Sequence, residues 1–467
     1  MDLPLITFTK FFKELHDSDI LTFRAFDKES QLKLLKLLLP SKSALHLENA
    51  YRKGAEIVFK PESVSIGHKT NRVYFNVKSG TLFTDLTDEL FDTLLELQNQ
   101  QLYFKGRVID KIALSEKRAM YEIEIDSVYT ATYDFDTAKQ LLQEYKPIDL
   151  LMYAIGYKPC NESIACKIAQ LLPLFTFEDK AIHTVIFTPP RFGKSRTASI
   201  LCGLTKAYAT VFPSPAKLIY DGRSGKYGLT YWYNTLFIDE FDKIKGRRLE
   251  RFQESYEVLL TGMSDGLWQR DISAKAEDFR NLVGFCFMGN IKDAKIDDFT
   301  LASYSRNNRE KLHEYLEAYN VSPEPFIERI TYIDIITKNV QAYKLLNYNE
   351  QNRVMYLEPS VSRAIIKTLQ DEVIEKPIAK RAESELDHHF NRLKAVLDTL
   401  CVEIDDATIE QLVNGETTFY DVFGSEQTHA DMHETENDNN DTVDAEEIPM
   451  YEWDLRDLVE GDANDSQ

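Results

Sequence analysis

Three short stretches of this 467-residue chain hold side chains whose types and spacing suit phosphate chemistry. The first is TPPRFGKS, residues 188–195, preceded by the apolar run HTVIF and followed by RTASILCGLTKAYA. An apolar strand, a tight loop ending Gly-Lys-Ser and a helix are the parts of a P-loop. Its backbone N–H groups and helix N-terminus cradle phosphates, the lysine reaches β and γ oxygens, and the hydroxyl ligates magnesium. Those roles fall to Lys194 and Ser195, with Thr188, Gly193 and Arg196 completing the expected nucleotide-binding set. Thr188 stands where the motif usually has its first glycine, and Pro189 and Pro190 stiffen the loop. Taken alone, a Gly-Lys-Ser tripeptide fits an ordinary exposed turn equally well.

The second stretch is NTLFIDEFDKIKG, an apolar strand ending in Asp239 and Glu240. Two adjacent carboxylates at the end of a buried parallel strand are costly unless they organise a cation or a water. Following the P-loop, Asp239 is expected to hold Mg2+ together with Ser195, and Glu240 to polarise the attacking water. The third is LVGFCFMGN, whose terminal Asn290 sits where an ATPase of the AAA+ class carries its first sensor, which orients that water against the γ-phosphate. FIERITYIDII then puts Arg329 just ahead of another apolar strand, the place of an arginine finger reaching a neighbouring subunit's nucleotide. An isolated arginine would be an ordinary surface residue; order and spacing set this one apart.

The elements that must position these residues are legible in the patterning. Strand-like runs alternate with helical ones over 136–345, the sign of an α/β core with a parallel sheet. Before it, 51–135 holds short β-rich runs such as NRVYFNV and the hairpin-like pair LYFKGRVIDKIAL and AMYEIEIDSVYTATY. A small barrel or sandwich of the oligonucleotide-binding (OB) kind suits this region, as do other small β folds. Residues 1–50 read as a helical segment, and 346–415 as a helical lid. The remainder, 416–467, is poor in aliphatic residues and is expected to be largely disordered.

Charge follows the same division. Between 425 and 467 fifteen acidic side chains face Arg456 alone, so about two thirds of the net charge of −21 lies in the tail. The body is nearly balanced, and a basic surface for nucleic acid is not excluded. The five cysteines form no CxxC pair and have no histidine at ligand spacing, which suits reduced thiols. The adjacent His388 and His389 read as surface residues of a charged helix. No apolar run spans a bilayer and the N-terminus has no export pattern, so a cytoplasmic setting is expected.

IDLLMYAIGYKP (148–159), the GKS loop, LFIDEFDKI, MSDGLWQRDISAKA, FCFMGNI and FIERI occur in the order found in the Lon-like AAA+ proteins of BREX phage-defence systems (BrxL). More distantly the chain resembles the minichromosome maintenance (MCM) helicases. The resemblance covers roughly 145–415. It implies Lys194, Ser195, Asp239, Glu240 and Asn290 in the site in cis, and Arg329 in trans. The MCM-like lid adds a sensor arginine, for which Arg381 is favoured over Arg363. GLWQRDISAKAE is similar to a hairpin that projects into the central channel of such motors, which implies DNA contacts from Trp268, Arg270 and Lys275. Composition alone equally allows a solvent hairpin with one packed tryptophan. The basic group Lys243, Lys245, Arg247, Arg248 and Arg251 reads as a solvated helix face first and a subunit contact second. Unlike the BREX proteins, nothing after residue 415 is long or apolar enough for a protease-like domain, and proteolysis is not inferred.

The expectation is therefore an ATP- and Mg2+-dependent AAA+ motor that binds DNA and assembles as a ring, a hexamer or double hexamer. Its setting would be antiviral defence or replication of a mobile element, and the acidic-aromatic segment 448–459 would dock a protein partner or solubilise the tail. The competing expectation is an AAA+ protein-remodelling unit or nucleotide-switched scaffold.

Overall fold

The computed structural model describes residues 44–423 with short interruptions, together with Leu3 and the strand Leu5–Phe8. The longest interruptions are 337–353 and 377–383, and everything from 424 onward lies outside the described residues. Within the stretch read as helical, β1 (Leu5–Phe8) is extended and pairs antiparallel with Val354–Leu357, Leu5 opposite Leu357.

The β-rich region is one six-stranded sheet. Its strands are β2 (Glu56–Phe59), β3 (Ser63–Gly67), β4 (Arg72–Val77), β5 (Gly80–Asp85), β6 (Leu102–Ser115) and β7 (Arg118–Thr130). They pair in the order β2-β6-β7-β5-β4-β3, antiparallel except where β5 lies beside β7. Strict alternation in β4 buries Val73, Phe75 and Val77 and turns Arg72, Tyr74 and Asn76 outward. Phe75 meets Phe59 and Phe104 at centroid separations of 5.6 and 4.7 Å, the aromatic centre of this module. The long β6–β7 ribbon shifts register after Lys105, and a side chain at Gly106 would come within 2.3 Å of the Glu124 carbonyl. Only glycine lets the ribbon bend there. The described pairings leave β2 and β3 at the ends of the sheet, so closure into an OB-type barrel is not among them.

The nucleotide-type core is the expected parallel sheet. Its strands are β8 (His183–Thr188), β9 (Ala207–Val211), β12 (Thr235–Asp239), β15 (Gly284–Asn290) and β18 (Tyr332–Ile335), in the order β18-β8-β15-β12-β9. Every residue of β8 is buried, because helices cover both faces. Ile186 packs toward the helices Pro147–Ala154, Asn161–Leu171 and Lys194–Leu204, whereas Val185 and Phe187 face Arg247–Asp265 and Asn308–Glu317. Shorter pairs decorate this core: β10 (Tyr220–Asp221) with β11 (Lys226–Tyr227), β13 (Leu267–Ile272) with β14 (Lys275–Arg280), and β16 (Lys295–Ile296) with β17 (Phe299–Thr300). The partner of β1 is β19 (Val354–Leu357).

After β19 come the helices Pro359–Ile374, Glu385–Thr399 and Asp406–Asn414. A further short helix, Phe419–Phe423, lies within the stretch expected to be disordered. Its Phe419 is buried with its ring 4.6 Å from that of Tyr332, and the Phe419 N–H donates to the Tyr332 hydroxyl at 2.9 Å. The folded body thus continues past residue 415. His389, expected on the surface, is buried instead; its Nε2 lies 2.7 Å from the Glu328 carbonyl oxygen, and burial pushes its pKa down to about 3. No helix among the described residues is long and apolar enough to cross a membrane.

Asp334 in β18 is fully buried, and neither carboxylate oxygen has a hydrogen-bond partner among the described residues. Burial, reinforced by Asp421, pushes its pKa up to about 8 from an ordinary 3.8. The folded state therefore keeps this proton while the unfolded chain releases it, so stability is lost as pH rises from about 4 to about 8. Asp334→Asn lacks that liability. Its stability relative to the wild type should improve by on the order of 1 kcal/mol per pH unit between pH 5.5 and 7.5. Urea midpoints that keep a constant difference across this range would show the carboxyl to be ordinary.

Candidate nucleotide-binding and hydrolysis site

Parallel strands place their carboxyl ends along one edge, and here three polar ends lie side by side. β15 pairs with β8 so that Asn290 is level with Thr188, and on its other side β15 pairs with β12, which ends in Asp239. The loop after Thr188 enters the helix Lys194–Leu204 through Gly193 at φ 74°, ψ 15°. A side chain at this position would meet the Tyr157 hydroxyl at 2.6 Å, so both backbone angle and space demand glycine.

Lys194 is buried, and its ammonium donates to Thr188 Oγ1 at 2.7 Å and Asn290 Oδ1 at 3.1 Å. Burial pushes its pKa down to about 8, against the pull of Asp239 and Asp242. Thr188, a departure from the usual glycine, therefore holds the lysine at the floor of the site. Beside it the Ser195 hydroxyl donates to Asp239 Oδ2 at 2.7 Å, and Asp239 Oδ1 accepts the Glu240 N–H at 2.9 Å. A hydroxyl and a carboxylate oxygen in contact fit Mg2+, which takes one or two protein oxygens and fills its shell with phosphates and water.

Glu240 has left-handed backbone angles, φ 57° and ψ 35°, uncommon outside glycine. Its carboxylate is bound by Lys243 at 3.1 Å and Arg248 at 2.6 Å. Burial alone would raise its pKa, but hydrogen bonds from Lys243 and Arg248 outweigh that and hold it below the usual carboxylate range. Two members of the basic group, Lys243 and Arg248, thus pair with Glu240 rather than only covering a solvated face. Lys245 is outside the described residues.

Arg329 precedes β18, whose first residue Tyr332 is level with Thr184 near the start of β8. It lies at the sheet edge opposite the P-loop and cannot serve its own site. Its Nε donates to the Leu260 carbonyl at 2.8 Å and to Ser264 Oγ at 2.9 Å, and Nη1 to the Pro325 carbonyl. Arg196 turns toward β19 and donates to the Tyr356 hydroxyl at 2.6 Å. Arg363, the rival for the lid sensor, is buried against the far end of the P-loop helix, donating to the Gly203 carbonyl at 3.2 Å. That is nine residues from Lys194, about 13 Å along the helix. Arg381 is outside the described residues.

The β13–β14 hairpin is present where the sequence suggested it, with Arg270 opposite Glu277 and Lys275 opposite Ile272. The side chains of Arg270 and Lys275 are outside the described set. Trp268 departs from expectation. Its side chain is 0 % exposed, its indole N–H donates to the Asn281 carbonyl at 2.9 Å, and its ring packs against Gly262, where an added methyl would come within 2.3 Å. In this arrangement the indole is a core residue and offers no stacking face.

Sequence reasoning missed two residues behind the loop. Lys167 and Gln170, on the helix Asn161–Leu171, hydrogen-bond the Phe192 and Lys194 carbonyls at 2.8 and 2.9 Å. The available signal was a lysine and a glutamine three residues apart in the otherwise apolar IACKIAQLL.

Residues 118–333 match the family model described as "Lon-like protease BrxL-like, ATPase domain". The match supports an ATPase of the AAA+ type, and with it nucleotide binding. Among curated relatives, uncharacterized protein 440 of Sulfolobus islandicus rod-shaped virus 1 is 26% identical over 253 residues, covering 51% of this chain and 54% of the relative. Uncharacterized protein ORF425 of Acidianus filamentous virus 2 is 25% identical over 285 residues, covering 55% and 64%. The chain thus spans between half and two thirds of the length of these relatives.

Because Trp268 fills the core under Gly262, Trp268→Ala should cost about 3–5 kcal/mol of stability. A guanidinium midpoint close to that of the wild type would instead argue for an indole free to contact a ligand.

Proposed function

We propose that this chain, built around a BrxL-like ATPase domain, is an ATP-hydrolysing motor that acts on DNA as a ring of identical subunits, most simply a hexamer or double hexamer. The observation that carries the hydrolytic part is the meeting of Lys194, Thr188 and Asn290 with Ser195, Asp239 and Glu240 at one edge of the sheet. On this reading the N–H groups of 193–195 and the Lys194 ammonium bind the β- and γ-phosphates. Mg2+, held by Ser195 Oγ and the Asp239 carboxylate, would neutralise developing charge on the phosphate oxygens. Lys194 leaves Thr188 and Asn290 when phosphate arrives, which frees the Asn290 amide to orient the attacking water. Glu240 accepts that water's proton once it leaves Lys243 and Arg248.

The ring rests on reading Arg329 as a finger. This residue stands at the edge opposite its own site, so a role as finger requires a neighbour. DNA in the channel rests on the position of the β13–β14 hairpin and on the charges of Arg270 and Lys275. Arg381 remains the proposed lid sensor, and the segment 448–459 a proposed protein-docking element. Virus-encoded relatives favour a role in mobile-element replication over one in defence.

A specific observation favours a second reading as well. A Glu240 carboxylate engaged by two cations suits a slow, nucleotide-switched scaffold acting on a protein partner. Stimulation of ATP turnover by DNA separates the two: a motor on DNA turns over faster with it, and the scaffold does not.

Glu240→Gln should lower ATP turnover by roughly 100-fold or more while nucleotide still binds. Turnover at the wild-type rate in that variant would sink the hydrolytic assignment. Replacing Arg270 and Lys275 by Ala should weaken DNA binding and reduce the slope of log affinity against log salt by about 2, one for each lost phosphate contact. Affinity unchanged at matched salt would remove the hairpin from the DNA path.

A further inference from the structure

The P-loop is braced from behind by a helix that does not touch the phosphate side. Lys167 is 0 % exposed, and its ammonium donates to the Phe192 carbonyl at 2.8 Å and to Gln170 Oε1 at 3.4 Å. It also lies 4.8 Å from the ring centroid of Tyr157 and 5.7 Å from that of Phe192. Gln170, one helical turn on and facing the same way, donates to the Lys194 carbonyl at 2.9 Å and to Met288 Sδ at 3.3 Å. Burial pushes the Lys167 pKa down to about 7, with Lys194 and Arg196 adding to the fall and Cys166 opposing it. A buried ammonium is expensive, and a hydrophobic side chain would fill the same space more cheaply.

Peptide geometry gives that cost a purpose. In a planar trans peptide the C=O and the following N–H point in opposite directions. Fixing the Phe192 carbonyl toward the helix therefore turns the Gly193 N–H away from it, into the phosphate side. Fixing the Lys194 carbonyl does the same for the Ser195 N–H. The loop has fewer N–H donors than most, since Pro189 and Pro190 supply none, so the orientation of those that remain carries more weight. The ammonium also polarises the Phe192–Gly193 peptide in the sense that strengthens its N–H as a donor to an anion.

We propose that Lys167 and Gln170 are positioning residues that aim the Gly193 and Ser195 N–H groups at the β-phosphate of the bound nucleotide. This rests on the nucleotide-binding reading above. Neither residue touches the reacting atoms. The N–H groups they aim hold the β-phosphate alike in the ground and transition states, so removing the two side chains should raise KM with little effect on kcat.

The test uses the full chain with Mg-ADP and Mg-ATP. In Lys167→Met and Gln170→Met, which keep side-chain volume and remove the donors, KM for ATP and Kd for ADP are expected to rise tenfold or more. In both, kcat should stay within about threefold of the wild type. A purely structural role would lower kcat through loss of folded protein and leave KM in place, and that outcome overturns the proposal. Wild-type KM and Kd in both variants overturn it too, while the nucleotide-binding reading stands. Should Lys167→Met fail to fold, Gln170→Met decides alone by the same criteria. Failure of the wild-type chain to bind Mg-ADP would instead bring down the nucleotide-binding reading itself.

Discussion

The pairing of β15 between β8 and β12 is the constraint on which the site depends. A parallel sheet gives every strand end on one edge the same environment, and register decides which side chains meet there. Asn290 is level with Thr188, and Asp239 ends the strand on the other side. Slipping β15 by one residue would turn Asn290 into the sheet's flank and bring Gly289 to the edge. Gly289 has its own reason for its place, since a side chain there would meet the Phe187 ring at 2.6 Å. Close packing at Gly289 thereby supports this register, and the site inherits its geometry from the core.

The interior around this edge holds several buried ionisable groups. Lys194, Lys167 and Asp334 lie within the same few strands and helices, each with a pKa moved by burial toward its neutral form. Such groups weaken a fold unless they are hydrogen-bonded. The two lysines hold carbonyl, hydroxyl and amide oxygens, whereas Asp334 does not satisfy its oxygens among the described residues. Buried polar cost is thus present around this edge, as it is at His183, His389 and Arg392 elsewhere in the core, and is nearly absent from the aromatic centre of the N-terminal module.

The sequence made the core legible because strand ends in α/β folds carry compact signatures. Thr188–Ser195, Asp239–Glu240 and Asn290 all stand at strand ends, so short stretches sufficed to find them. What it did not reveal depends on long-range pairing. The strand Leu5–Phe8 takes its conformation from Val354–Leu357, far along the chain, and a four-residue run with three apolar side chains is too short for a period to declare it extended. Trp268 was ambiguous between groove and core because composition says nothing about Gly262, the residue that makes room for its ring. Lys167 escaped notice because a lone cation in an apolar helix acquires meaning only when the carbonyl it holds is known. His389 was misjudged for a related reason: a charged helix can still bury one face, and that face packs on the carbonyl of Glu328.

The helix Arg247–Asp265 touches three parts of the molecule. At its beginning Arg248 grips Glu240; near its end Gly262 seats the Trp268 ring at the root of the hairpin, and Leu260 and Ser264 bind Arg329. Nineteen residues of continuous helix make a rod roughly 28 Å long. The helix thus gathers into one element the contacts that hold Glu240, the Trp268 ring and Arg329, so a substitution that displaced it would disturb all three together.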